Sequence, residues 1–595
     1  TFGLETGWRA NGSSLLRLGG WQVAGSTAVG GGTIAVPGGL TTNFTNSSSD
    51  ITLNVDSVYS WEAGYGTNIS TTGNVAVVPS TLSGGLVTAT DNFDRSQNTA
   101  NYRFGQFVLP NRVASFTMGR AGTASDYTFK SDVTSSGAIK LYGGSVGIQD
   151  LTTNATSGDG ILVKAKGDIV TPDGTSAARN VISVTGASST APVMLWSNTD
   201  AANGGSIQIG NYTDISTTGA AITLAGSASS SDTSPTGYAE GSTSTNCTGL
   251  SLGSSAVATD SVKIASAGGN ILLRGKSSYD ASSCVGLKSW SGINVNSGTG
   301  SITAEGLATG STTNNYNRHA LDFNWTSSAT GGFTSTWTSA KTSGTAISFT
   351  GSSSGTSNNG RGVLGWAGTN IATISASGGG DIAITGTAST NTTQAVSINY
   401  ANIYAAGGAI NISGGAKQVA FGETGANNIG GSSTTSLAGD ITVKADSISI
   451  AATVGSAAFK NASKLSLISD GVKFTSAQTL GAGASVTNIG SLQVGLDTNT
   501  ADVTLNGAVS VGGPINIYGG NLTMSAGLTT TATTGTRSIF AKGTGNISAT
   551  SLTTSGGDIT LWSDSDANST GRIEMSDTST ISSGGGAVTD RKSVV

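Results

Sequence analysis

The sequence predicts an all-β fold: a right-handed parallel β-helix, wound as a three-sheet β-solenoid into an elongated rod. Three observations predict it. A long module repeats within the chain, a finer period of short strands runs inside that module, and glycine marks the corner before one strand type. Repetition of this kind signals an array, in which each rung covers the apolar face of its neighbour.

The module shows first in residues 115–144, which return as residues 491–520 without a gap (491 − 115 = 376). Gly119 falls on Gly495, Asp126 on Asp502, and Tyr142-Gly143-Gly144 on Tyr518-Gly519-Gly520. A second pair, residues 195–223 and 561–589, opens on Leu-Trp-Ser in both copies (561 − 195 = 366). Three segments follow: residues 1–114, a β-rich solenoid with decorations or the tail of a preceding module; residues 115–490, one full β-helical module; and residues 491–595, the start of a second copy. The chain opens on Thr1 and stops inside that copy, so either a longer natural polypeptide or a piece that meets another chain at that end is expected.

The finer period is clearest between residues 249 and 450. One strand type runs through Leu250-Ser251-Leu252, Leu287, Leu321-Asp322-Phe323, Val363-Leu364 and Val396-Ser397-Ile398. A second runs through Val262-Lys263-Ile264, Ile293-Asn294-Val295, Ile371 to Ile374 and Ile403. In the third, central isoleucines at 271, 302, 347, 382, 410 and 441 are mostly preceded by glycine, as in Gly380-Asp381-Ile382. Their steps are 31, 45, 35, 28 and 31. Alternation turns Ile and Val inward and Ser, Thr, Asn and Lys outward. The glycines suit a corner that needs positive φ or a close backbone approach. Residues 326–345, inside the longest step, read as the largest excursion. The crossover rule favours a right-handed path. Rungs of about 35 residues make about 17 turns and, at ~4.8 Å per rung, a rod of about 80 Å.

Composition narrows the function. Charged residues are 10% of the 595, aromatic residues 6%, and proline occurs only 7 times. The low-charge, Gly/Ser/Thr-rich balance suggests disorder, but 36% hydrophobic residues in short, evenly spaced β-branched runs argue for a packed core. Those runs are too short for transmembrane helices. A net charge of −5 without a basic patch argues against nucleic acid. One histidine and two cysteines argue against a metal site built on His or Cys, and no cofactor is expected.

Few residues suggest chemistry. Cys247 and Cys284 share a Cys-x-Gly-Leu context one rung apart (284 − 247 = 37). Equivalent positions on stacked rungs are close enough for a disulfide; the alternative is two free thiols at a small-residue corner. Trp290, Trp325, Trp366 and Tyr400 recur at intervals of 35, 41 and 34. They read either as a stacked aromatic ladder sealing a corner or as an exposed row for stacking on sugar rings. Asn-x-Ser/Thr sequons at Asn43, Asn68, Asn154, Asn211, Asn246, Asn324, Asn391, Asn411, Asn521 and Asn546 are candidate glycan acceptors. The single histidine, His319, reads as a corner residue rather than a catalytic base. Recurrence of Asp126 as Asp502 favours a turn role. Gly-Gly-Asp-Ile at Gly379 and Gly556 lacks the Gly-Gly-x-Gly-x-Asp spacing of calcium-binding β-rolls. Clustered carboxylates with Arg or Lys on one face, as a glycan-degrading β-helix needs, are not evident, so no enzyme is expected.

Repeats such as Gly557-Asp558-Ile559-Thr560-Leu561-Trp562 and Gly513-Pro514-Ile515-Asn516-Ile517-Tyr518 resemble the large β-strand-repeat surface exoproteins of Gram-negative bacteria. These are filamentous-haemagglutinin-like and of the two-partner-secretion type. The resemblance covers most of residues 115–595. It implies a right-handed β-helix, export to the cell surface, and a role as an adhesin or extracellular fibre. The amino-terminal secretion domain of such proteins is not evident here. The expected function is therefore a structural extracellular fibre or adhesin stalk. Its expected partners are copies of itself, joined end to end or laterally, or host and cell-surface glycans and proteins. A carbohydrate-binding module is the alternative; a glycan-degrading enzyme or phage tailspike comes third.

Overall fold

A computed structural model describes residues 112–592, apart from 125, 130–132, 203, 244–245, 256–260, 280–283, 291, 310–318, 326–333, 355–359, 366–370, 424, 452–455 and 536. It also describes residue 50, residues 72–78 and the backbone of short strands between residues 16 and 108. Two compact units emerge. One holds Thr1–Tyr279 with Gly286–Lys288 and Ile293–Gly298; the other holds Asp280–Val285, Ser289–Gly292 and Thr299–Val595. Their division falls inside the 115–490 module. Every regular element among the described residues is a strand, and no helix is long and apolar enough to cross a membrane.

In the first unit, Ser115–Met118, Ile139–Gly143, Ile161–Ala165, Val193–Ser197, Ile222–Gly226 and Ile271–Ser277 pair in succession, all parallel. Phe116, Ile139, Ile161, Val193, Ile222 and Ile271 stand in register. Two other series run between them: Tyr127–Phe129 pairs with Val146–Ile148, and Val133–Ser135 with Leu151–Thr153. A strand therefore meets, as a rule, the third strand after it. Alternation decides the faces: Ile139, Leu141 and Gly143 are buried while Lys140 and Tyr142 are half-exposed. Each buried Ile, Leu or Val contributes roughly 1.5–3 kcal/mol, and like stacks on like from rung to rung.

Near the amino end, Leu16–Leu18, Trp21–Val23 and Ala28–Val29 pair antiparallel. Parallel pairing starts with Thr33–Val36 on Ser57–Ser60, Thr42–Thr45 on Thr67–Ser70 and Ile51–Asn54 on Asn74–Val78.

The second unit repeats the arrangement. Ile302, Ile347, Ile382, Ile410 and Ile441 stand in register, with the spacings read from the sequence. Leu465, Leu492, Ile515, Ile539, Ile559 and Val588 continue the series with steps of 24, 27, 23, 24, 20 and 29. Rungs here are shorter than the expected 35, because short strands with two- to four-residue corners complete a turn once no excursion is inserted.

One expectation is corrected. Part of the 326–345 excursion is a strand, Thr334–Ser339, in register with Ile371–Ala376. Its inward positions are Ser335, Trp337 and Ser339, all buried. A single tryptophan fills the space that branched aliphatics fill elsewhere, so the aliphatic pattern is absent. Trp337 meets Phe349 edge-on at 4.9 Å, and Phe349 stacks on Phe323 at 5.4 Å.

Candidate functional site

The module repeat preserves the corners of the rungs. The residue before each strand of one series carries a side-chain oxygen that caps a backbone N–H on the next rung. Asp126 Oδ1 accepts from Ser145 N at 2.6 Å, Ser145 Oγ from Asp168 N at 3.2 Å, and Asp168 Oδ1 from Ser206 N at 2.7 Å. The second copy matches it. Asp502 Oδ1 accepts from Asn521 N at 2.7 Å, Asn521 Oδ1 from Asn546 N at 2.9 Å, and Asn546 Oδ1 from Arg572 N at 3.0 Å. Parallel ladders break at corners, and these caps give the exposed or half-buried N–H groups there an acceptor in the protein. The same device explains Gly-Asp-Ile: Asp381 caps Ala409 N and Asp558 caps Ala587 N, both at 2.8 Å. Asp126 and Asp502 thus bridge successive rungs rather than close a turn within one. Gly119 and Gly495 match even in backbone, with φ of 77° at both. A Cβ at either would strike the carbonyl of Tyr142 or Tyr518.

A second repeated feature faces outward. Tyr142, Lys164 and Trp196 occupy one stacked position on three successive rungs, as do Tyr518, Lys542 and Trp562. Lys164 Nζ sits 3.7 Å from the Trp196 ring centroid, and Lys542 Nζ 5.2 Å from that of Trp562. Such cation–π contacts contribute about 0.5–2 kcal/mol. In the first copy an excursion folds over the stack. Gly226 and Gly237 bridge antiparallel at its base, and Trp196 Nε1 donates to Ser227 Oγ at 2.7 Å. Asp232 organises the excursion by accepting from the amides of Ala228 and Ser229 and the hydroxyl of Thr236. Those bonds, the Thr236 hydroxyl first, hold the Asp232 carboxyl below its usual range. Burial lowers the Lys164 ammonium, with the Asp232 charge opposing. The sequence displays every member of these stacks; what it lacks is the register that makes residues 20 to 32 apart neighbours.

The predicted aromatic row is only partly brought together. Trp290 and Trp325 meet at 6.5 Å with ring planes 82° apart. Tyr400, at φ 50°, lays its ring on Gly425 of the next rung, where a Cβ would strike it. Trp366 lies outside the described residues.

Cys247 and Cys284 are both disulfide-bonded, and the chain has no other cysteine. His319 is buried, with Nδ1 unpartnered. Burial, and then the Arg361 charge, lower its pKa to about 3, so the ring is neutral. Arg361 in turn donates to Gln394 Oε1 at 2.8 Å and lies 3.8 Å from Glu423.

The sequons divide by exposure. Asn211 and Asn324 are buried. Asn211 Nδ2 donates to the Ser254 and Ser255 hydroxyls, and Asn324 Oδ1 accepts from Ser335. Asn246 donates to Asp168, while Asn521 and Asn546 serve the corner ladder. Asn154 is half-exposed; Asn391 and Asn411 are exposed, the latter on the outward face of Ile410–Phe421. The side chains of Asn43 and Asn68 lie outside the described residues.

Among the described residues no three His, Cys, Asp or Glu side chains gather as a metal-binding group. Corner caps and outward stacks bind rung to rung. No family model, curated protein or solved structure matches the chain.

Proposed function

We propose that this chain is a structural segment of an extracellular fibre or adhesin stalk at a bacterial surface, of the filamentous-haemagglutinin-like kind. In this reading the parallel ladders close as a right-handed, three-sheet β-helix and extend into a rod that assembles with copies of itself. The observation that carries it is the succession of parallel strand pairs within each unit, from Phe116 to Ile271 and from Ile302 to Val588. Side chains that elsewhere do chemistry, Asp126, Asp168, Asp381, Asp502 and Asp558, are here engaged in capping the next rung. The disulfide-bonded cysteines support an oxidising, extracellular setting. Electron microscopy of the untagged native protein tests the reading. Rods of about 80 Å, or uniform fibres with an axial repeat near 4.8 Å in diffraction, are expected. Compact particles without a long axis overturn it.

A further inference from the structure

The two copies of the module differ at one corner in a way that packing does not explain. Leu195-Trp196-Ser197-Asn198 and Leu561-Trp562-Ser563-Asp564 enter the same left-handed turn. Asn198 has φ 50° and Asp564 φ 53°; three residues on, Ala201 has φ 52° and Ala567 φ 59°. In the first copy the residue at this corner is a neutral amide. Ser197 Oγ donates to Gly205 O at 2.7 Å, and Asn198 Nδ2 reaches Glu240 at 3.5 Å, while the buried Asn198 Oδ1 has no partner. In the second copy a carboxylate takes the amide's place. Asp564 is fully buried, and its Oδ2 has no partner; nor has the buried Oγ of Ser563 beside it. Among the described residues no lysine or arginine pairs with Asp564. An ionised carboxylate oxygen left bare in the interior is strongly unfavourable.

The same carboxylate opens a loop that carries further oxygens. The other oxygen of the same carboxylate, Oδ1, accepts from Ser569 N at 3.0 Å, so the group faces across residues 564–571. Asp566 and Asn568 follow at alternate positions, both exposed, giving Asp564-x-Asp566-x-Asn568. Carboxylate and amide oxygens at the first, third and fifth positions of a tight loop are the leading ligands of a hard-cation loop. Asp566 now accepts from Asn568 Nδ2, and Asn568 Oδ1 from Thr570 N, bonds that solvent-exposed side chains exchange readily.

We infer that the 564–571 loop is a calcium site, with Asp564, Asp566 and Asn568 as side-chain ligands and Ser563 Oγ supporting the buried end. An all-oxygen set in a flexible loop suits Ca²⁺ better than Mg²⁺, which demands near-ideal octahedral geometry. The first copy, with Asn198 in place of the carboxylate, is not a site. Trp562 stands two residues from Asp564, placing an indole donor beside the ion.

Terbium luminescence sensitised by tryptophan, on the full 595-residue chain, tests this. Saturable emission is expected, displaced by Ca²⁺ at concentrations where Mg²⁺ does not compete. Asp564→Asn should weaken apparent Ca²⁺ affinity at least tenfold. Asp566→Ala and Asn568→Ala change only exposed side chains and should weaken it in the same direction with circular dichroism unchanged. Trp562→Phe should lower the emission amplitude while leaving Ca²⁺ affinity by calorimetry within twofold. Absence of saturable emission overturns the inference, as does emission that Asp566→Ala and Asn568→Ala leave unchanged.

Discussion

His319 shows how a single residue takes its properties from the rung in which it lies. In the sequence it stands among asparagine and arginine and reads as a polar corner residue. In the fold it is sealed, faced by the Arg361 guanidinium, with the Asp322 and Glu423 carboxylates beside that guanidinium. A protonated ring would be a buried charge next to a cation, so the native state holds the neutral form. Its folded pKa, about 3, lies below the ordinary 6.5. The unfolded chain therefore binds a proton that the native chain refuses. The His319 contribution is intact above pH ~6.5 and is lost progressively as pH falls from there toward 3. Between pH 7 and pH 5 the wild type should lose roughly 2 kcal/mol more stability than His319→Gln. Urea midpoints of both proteins at the two pH values measure it, and parallel losses would show that this ring does not set the acid sensitivity.

At the scale of elements, parallel pairing needs something to hold the corners, and the Asp/Asn/Ser ladder supplies it. Asp502→Ala leaves the exposed Asn521 N–H to water and should cost about 0.5–1.5 kcal/mol. Asp502→Asn keeps an oxygen in place and should cost less than half as much. Amide hydrogen exchange is the direct readout. The Asn521 amide should exchange at least tenfold faster in Asp502→Ala, while Ile517 in the adjacent strand stays protected. Equal protection at Asn521 in both variants would remove the ladder from the account of stability. Strands of this protein are legible where Ile or Val alternates with a polar residue, as in Ile139–Gly143 and Ile515–Gly519. Thr334–Ser339 is not legible, because serine and one tryptophan occupy its inward positions. The corner ladders are half legible. Gly-Asp-Ile stands out as a pattern, but its purpose depends on a partner 28 or 29 residues away.

At the scale of the whole molecule, the cysteines add a covalent constraint to a fold otherwise made of adjacent-rung contacts. Closing a loop of 37 residues removes unfolded-state entropy worth about 2–4 kcal/mol. Intact mass after treatment with iodoacetamide should be unchanged until the protein is reduced, and should then rise by two adducts. Two adducts without reduction would mean free thiols and would withdraw the support for an extracellular setting. By itself the sequence determined the all-β class, the module offset and the inward set, because a period of two in β-branched residues and a repeat at constant offset are local, one-dimensional signals. The tertiary structure alone decided that Lys164 lies over Trp196, that Asp502 caps Asn521, that His319 is sealed, and that Asp564 is buried without a partner. Each of those depends on register between rungs, as with the 32 residues between Lys164 and Trp196 and the 19 between Asp502 and Asn521. Excursions of unequal length set that register, and no fixed period in the chain encodes it.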